Sequence, residues 1–183
     1  MNASHTRGFT LIELVVTLML IGILSAIGVS RFFDRAPFDV AQFSDQTRAM
    51  LRYGQKLAVA QRRVVFVRVS SSNLALCFDN TCSAGMLVPA PGGGNSGSPS
   101  TKANCASNPT WYCEGVPANL SVTLAPAAAP YLFVFDAQGK PYSSSDNLLS
   151  ASSSFVQLLV TISGSGSGSS STVTVVPETG YVY

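Results

Sequence analysis

"HTRGFTLIELVVTLMLIGILSAIGV", residues His5–Val29, is an apolar run broken by a single carboxylate, Glu13, five residues after Gly8. From Phe9 to Val29 no other residue is ionisable, and Arg31 and Arg35 follow at once. About 20 residues at roughly 1.5 Å rise cross a hydrocarbon layer of about 30 Å. A cleavable secretory signal has a shorter apolar core, a basic region before it and a small-x-small site after it. Here only Arg7 and Gly8 stand directly before the run, and no such site closes it, so 9–29 reads as a retained transmembrane helix. Glu13 then needs a reason, because an unpaired charged residue at mid-membrane costs about 2.5–3.5 kcal/mol on insertion scales.

Outward from this run, the chain of 183 residues has room for one further domain. Charged residues make up 11% of it, against about 25% in an ordinary soluble domain. The charge is also unevenly placed. From Arg31 to Arg68 there are eight basic residues and three acids, and beyond Arg68 two basic residues and five acids. A basic stem therefore precedes a mildly acidic head. Such asymmetry can bring copies together or attract an anionic partner to the stem.

Pro37 interrupts the helical pattern after the membrane run, which predicts a kink near Asp34 to Pro37. Over 30–63 an amphipathic helix is expected. Phe43, Met50, Leu51, Gly54, Leu57 and Ala58 share one face, and Asp45, Arg48, Arg52, Lys56 and Arg63 share another. Arg62 and Arg63 stand where it should end, at the negative end of its dipole. The remaining 64–183 read as a β-rich head. Strands are expected at "RVVFVRVS" (63–70), "NLALCFD" (73–79), "NLSVTL" (119–124), "YLFVF" (131–135), "FVQLLVTI" (155–162) and "STVTVVP" (171–177). "DAQGK" (136–140) reads as a turn. A long helix followed by strands alone predicts an α+β fold, a helix packed on an antiparallel sheet.

Two stretches are low in complexity. "PAPGGGNSGSPST" (89–101) reads as an exposed loop, and "SGSGSGSSS" (163–171) as an overlong loop between two strands. Neither has the Lys-Ser or Lys-Thr that a phosphate-binding loop requires. The four cysteines, Cys77, Cys82, Cys105 and Cys113, all lie in the head. Outside the cytoplasm they read as two disulfides, with three connectivities open. Cys77 with Cys82 and Cys105 with Cys113 are favoured, since each pair closes a short segment rich in turn formers. The spacings do not suit zinc knuckles, so no metal site is expected.

The order of residues around Gly8 names a family. "RGFTLIE" resembles the processing site of type IV prepilins and of the pseudopilins of type II secretion. The resemblance implies a leader ending at Gly8, a mature chain beginning at Phe9, and an acid fifth in that chain, here Glu13. It further implies a prepilin peptidase that cuts between Gly8 and Phe9 and methylates the new amine on Phe9. Other pilins or pseudopilins are then the partners, met through Glu13 in a helix-bundle filament. The placement implied is single-pass in a bacterial inner membrane with the head in the periplasm. The segment "FDVAQFSDQTRAMLRYGQKLAVAQRRVVFVRV" (38–69), with the later "FVFDAQGKP" and "VTVVPETGYVY", resembles the pseudopilin H and minor pilin T group, and within it the minor pilins of mannose-sensitive haemagglutinin-type pili.

Catalysis finds little support in these residues. The one histidine, His5, lies in the implied leader, so no catalytic His remains in the mature chain, and neither a cofactor nor an enzyme activity is expected. Asp79 and Glu114 read as turn and surface residues. A minor pilin or pseudopilin that primes or caps a filament is the leading function. A DNA-binding minor pilin is the alternative, with Arg48, Arg52, Lys56, Arg62 and Arg63 as possible anion contacts. Against that, "PETGYVY" at the C-terminal end carries no Lys or Arg.

Overall fold

The computed structural model describes residues 9–32, 35–166 and 168–183, and side chains in all of these except 26–32. His5, Arg7, Gly8 and Asp34 lie outside the described residues, as does part of the expected kink. Two compact units divide the chain, Met1–Arg35 and Ala36–Tyr183.

In the first unit, helix α1 runs Leu11–Phe32. Its large apolar side chains from Leu11 to Leu24 are exposed on every side, from 46% at Val15 to 81% at Leu11. A helix that is apolar all round has no stable home in water; it belongs in lipid or among other helices. Among the described residues no helix is long and apolar enough to cross a membrane, the side chains of α1 being described only as far as Ser25.

In the second unit, helix α2 runs Ala36–Gln61. Pro37 sits in its first turn, where a missing N–H breaks no helical bond. Val40, Phe43, Met50, Leu51 and Ala58 are buried, as the 3.6-residue period demands; Leu57 is half-buried. Ser44 and Thr47 share the buried face, and Ser44 Oγ lies 2.8 Å from Ser171 Oγ on a later strand. The helix stops just before Arg62, whose φ of 49° is left-handed. The Arg63 N–H then donates to Ala58 O at 3.2 Å and the Arg62 N–H to Val59 O at 3.3 Å, the paired bonds of a Schellman stop. So the two arginines end the helix by backbone geometry rather than as charges in its last turn.

Eight strands follow: β1 Val65–Val69, β2 Asn73–Cys77, β3 Cys113–Gly115, β4 Leu120–Ala125, β5 Tyr131–Phe135, β6 Pro141–Ser143, β7 Leu158–Gly164 and β8 Ser170–Val175. They form two antiparallel sheets, one of five strands in the order β3-β2-β1-β5-β6 and one of three in the order β4-β7-β8. Alternation sets the inner faces: Val65, Val67 and Val69 of β1, Leu158, Val160 and Ile162 of β7, and Val173 and Val175 of β8 are buried. Helix α2 packs across both sheets, closing one core around Phe133, Phe135, Met50, Leu51 and Leu76. The α+β architecture with an antiparallel β-rich head therefore stands.

Several local expectations change. The loop within 163–171 is shorter than its composition suggests: Ser163 pairs with Ser170, because β7 runs on to Gly164 and β8 starts at Ser170. Within 89–101 the chain is not one exposed loop. It holds a 3-10 turn at Pro91–Gly93 and the start of helix α3, Pro99–Asn104, capped by Ser98, whose side chain accepts from the Thr101 N–H. Ala90 and Thr101 are buried. Strand β7 begins at Leu158 rather than Phe155; Phe155 instead packs on Phe133, ring centroids 5.2 Å apart. The turn at 136–140 forms as expected. Asp136 Oδ1 accepts from the Gln138 and Lys140 N–H groups at 2.9 and 2.8 Å, and Gly139 takes a φ of 83°.

Candidate functional site

Phe9 and Thr10 precede α1 and are exposed. Thr10 caps the helix: its Oγ1 accepts from the Glu13 N–H at 3.3 Å, and its carbonyl accepts from the Leu14 N–H at 3.2 Å. Thr10 and Glu13 thus stand at the two positions of a Ser/Thr-x-x-Glu capping box, with Phe9 and Leu14 at the positions of a hydrophobic staple. Glu13 is solvent-exposed in the first turn, where the positive end of the helix dipole favours a negative charge. The T-x-x-E spacing shows this local role, which reading Glu13 as the partner of a Phe9 amine, in its own chain or the next, does not include. Thr17 and Ser25 donate to the carbonyls of Leu14 and Ile21 at 2.9 and 2.7 Å, as hydroxyls in an apolar helix should.

In the head, Cys77 is joined to Cys82 and Cys105 to Cys113. Cys77, Cys105 and Cys113 are buried with Ala75 and Trp111 in a small second core, and Cys82 packs against it; Trp111 Nε1 donates to Leu76 O at 2.9 Å. The second bridge ties the end of α3 to edge strand β3. Among the described residues no three metal-binding side chains converge.

Glu114 is not a surface residue: it is 3% exposed. Its carboxylate accepts from the Ser96 N–H at 2.8 Å, from the Ser96 hydroxyl, and from the Thr101 hydroxyl at 2.9 Å. This acid fixes the low-complexity stretch to β3, and it also contributes, after burial itself, to raising the Tyr112 phenol above its ordinary range. Asp79 does organise a turn. Its carboxyl is held below the usual range chiefly by the Ser83 hydroxyl. A groove of about 320 Å³ beside Glu114 is lined also by Asp39, Gln42, Gln46 and Asn119, its charged lining residues being the two acids.

The five basic side chains are engaged in different ways. Arg48 pairs with Asp45 at 2.5 Å, Arg52 Nε donates to Val182 O at 2.9 Å, and the Arg63 guanidinium lies 3.6 Å from the centroid of the Phe78 ring. Lys56 and Arg62 are exposed. The first three are spent largely on the chain's own structure.

Residues 3–29 match the Prokaryotic N-terminal methylation motif. The matched segment contains Gly8, Phe9, the Thr10 cap and Glu13, so the methylation motif and the capped start of α1 coincide. No curated protein matches the chain. Among solved structures the chain is similar to the type IV minor pilin FimU of Pseudomonas aeruginosa in two crystal forms. In the first the TM-score is 0.48 at 14% identity, covering 81% of this chain and 90% of that one. In the second it is 0.43 at 14% identity, covering 76% and 87%.

Proposed function

We propose that the chain is a minor pilin or pseudopilin, a structural subunit that primes or caps a type IV pilus or a type II secretion pseudopilus. The observation that carries this reading is the methylation motif over 3–29 leading into a helix whose apolar side chains find no cover in their own unit. Prepilin peptidase cuts between Gly8 and Phe9 and methylates the Phe9 amine. Residues 9–29 then hold the protein in the inner membrane, with 36–183 in the periplasm, an oxidising compartment that suits two disulfides. Within the family the stem sequence favours the pseudopilin H and minor pilin T group.

The cut gives Glu13 its partner. A carboxylate in hydrocarbon is tolerated when paired, and the new amine at Phe9 of this chain or of a neighbour supplies the opposite charge. Placed on a neighbour, the pair fixes the register of packing.

Two substitutions separate this from the capping role. Glu13→Gln keeps a residue able to complete the capping box but removes the charge, and Glu13→Ala removes both. Both variants should stay membrane-bound and fail to enter filaments. Normal incorporation of Glu13→Gln would overturn the charge-pair reading. The DNA-binding alternative draws on Arg48, Arg52, Lys56, Arg62 and Arg63, of which Arg48, Arg52 and Lys56 follow at four-residue intervals along α2.

A further inference from the structure

Beyond β8 the chain doubles back and closes the outer edge of the three-stranded sheet. The Thr174 N–H donates to Tyr183 O at 2.8 Å, the Tyr183 N–H to Thr174 O at 3.1 Å and the Val176 N–H to Tyr181 O at 2.9 Å, and Val175 pairs with Val182. Val182 is 1% exposed, and its carbonyl accepts from Arg52 Nε at 2.9 Å. Residues 181–183 thus fill a complete seat: a strand edge, a socket for one valine and an arginine of α2.

The turn that brings them there, 177–180, is short and strained. Glu178 has a φ of 68° and Gly180 a φ of 64°, a left-handed region that penalises any residue carrying a Cβ. At Gly180 an added Cβ would also lie 2.3 Å from Gly139 O. Two side chains hold the turn from outside. Gln55 Nε2 donates to Thr179 O at 2.8 Å and to Gly139 O at 3.0 Å, and Lys140 Nζ pairs with Glu178 at 2.6 Å. A short hinge under strain ahead of a separable strand invites exchange of that strand between copies.

The register dictates the exchanged form. With the turn opened, 174–183 becomes one continuous strand whose antiparallel partner is the same stretch of a second copy. Thr174 still faces Tyr183 and Val175 still faces Val182, now across two chains, so the seat keeps its contacts. Continued, that register sets Glu178 opposite Thr179 and Pro177 opposite Gly180 of the second copy. Because 174/183 and 176/181 are hydrogen-bonded pairs, 178/179 is the next such pair. Pro177 falls between them, where its missing N–H breaks no bond of the ladder. Glu178 then leaves the left-handed region. Opening loses the bonds inside the turn, from the Thr179 N–H to Pro177 O and from the Gly180 N–H to Val176 O, and the 178/179 pairs of the two copies replace them.

We propose that 181–183 exchange between two copies of this chain, each C-terminal strand seating on the β8 edge and Arg52 of the other, with 177–180 as the hinge and Gln55 as its catch. The exchange does not depend on the filament reading.

The test uses full-length chains in detergent. All four native cysteines are bridged, so introduced thiols react alone. Glu178 and Thr179 are exposed. In the exchanged pair their Cα atoms stand about 5.5 Å apart with side chains on one face, within disulfide range, whereas the two copies of residue 178 point to opposite faces. After incubation at about 1 mM, the effective concentration of a short tether, a mixture of Glu178→Cys and Thr179→Cys chains should give on mild oxidation about tenfold more covalent dimer than either variant alone. Two further substitutions carry opposite signs, read as dimer fraction by sedimentation. Gly180→Ala disfavours the closed turn and should raise the association constant about tenfold or more, while Glu178→Gly relieves the strain and should lower it about fivefold, the exposed ion pair to Lys140 contributing little. If Gly180→Ala does not fold, Gln55→Ala, which frees the catch on Thr179 O, takes its place with the same expected sign. Equal crosslinking in mixed and single samples, or none in any, overturns the proposal. A mixed crosslink that adding Gly180→Ala leaves unraised also overturns it, and assigns the contact to two closed turns.

Discussion

Opening the Cys105–Cys113 bridge tests how the head holds its least regular region. The paired substitution Cys105→Ala/Cys113→Ala removes a crosslink between residues eight apart in sequence. Loop-closure entropy for a segment of that length corresponds to about 2.5 kcal/mol at 25 °C. Both cysteines are fully buried, so lost packing adds to that figure. The Cys77–Cys82 bridge spans five residues and on the same basis contributes about 2 kcal/mol. Trp111, the single tryptophan of the chain, packs in the same cluster as Cys105 and Cys113. Its fluorescence therefore reports unfolding in a urea titration of the detergent-solubilised full chain. With a urea dependence of about 2 kcal/mol/M, the midpoint should fall by about 1 M or more. A loss under about 1 kcal/mol would refute the reasoning, because it would mean that the Glu114 hydrogen bonds and the α3–β3 packing keep 105–113 closed without the bridge.

Gly115→Ala should be severely destabilising, by about 3 kcal/mol or more, since an added Cβ would lie 2.2 Å from Ser100 O and 2.6 Å from Thr101 N, both backbone atoms. The same urea titration checks it, and a change under about 1 kcal/mol would contradict that close approach. Acidification should loosen the 143–154 loop. Asp146 is held below the ordinary carboxylate range first by the Ser154 hydroxyl, against a smaller opposing effect of burial. A folded-state value below the unfolded one stabilises at higher pH, and that stabilisation is lost as pH falls through the folded value, below about pH 4. Amide-exchange protection of Ser143 and Ser154, which both donate to Asp146, should therefore drop below that pH; Asp146→Asn should show no such acid-dependent drop.

What could be read from the chain alone followed periodicity. The buried face of α2, the alternation of β1 and the β1–β2 hairpin are written in runs long enough to repeat, and local chemistry placed the Asp136 turn. Three features escaped because their causes lie elsewhere. Strands β3 and β6 are three residues each and exist because longer neighbours offer them an edge. The stretch 163–171 looks like a linker by composition, yet its two ends belong to strands β7 and β8. Glu114 is buried because Ser96 and Thr101, 18 and 13 residues away, turn their donors to it, a pairing that spacing alone does not reveal. At the N-terminal end the reverse holds. The Gly8–Phe9–Glu13 order is legible in the sequence, and the capping box is equally legible in the T-x-x-E spacing of Thr10 and Glu13.

The central claim is that Phe9 begins the mature chain. Intact-mass and N-terminal peptide mass spectrometry of the protein recovered from its own membrane measures this directly. The predicted result is a chain of residues 9–183 with a methyl group on the Phe9 amine and both disulfides formed. A chain that retains residues 1–8, or one that begins at any residue other than Phe9, would contradict it.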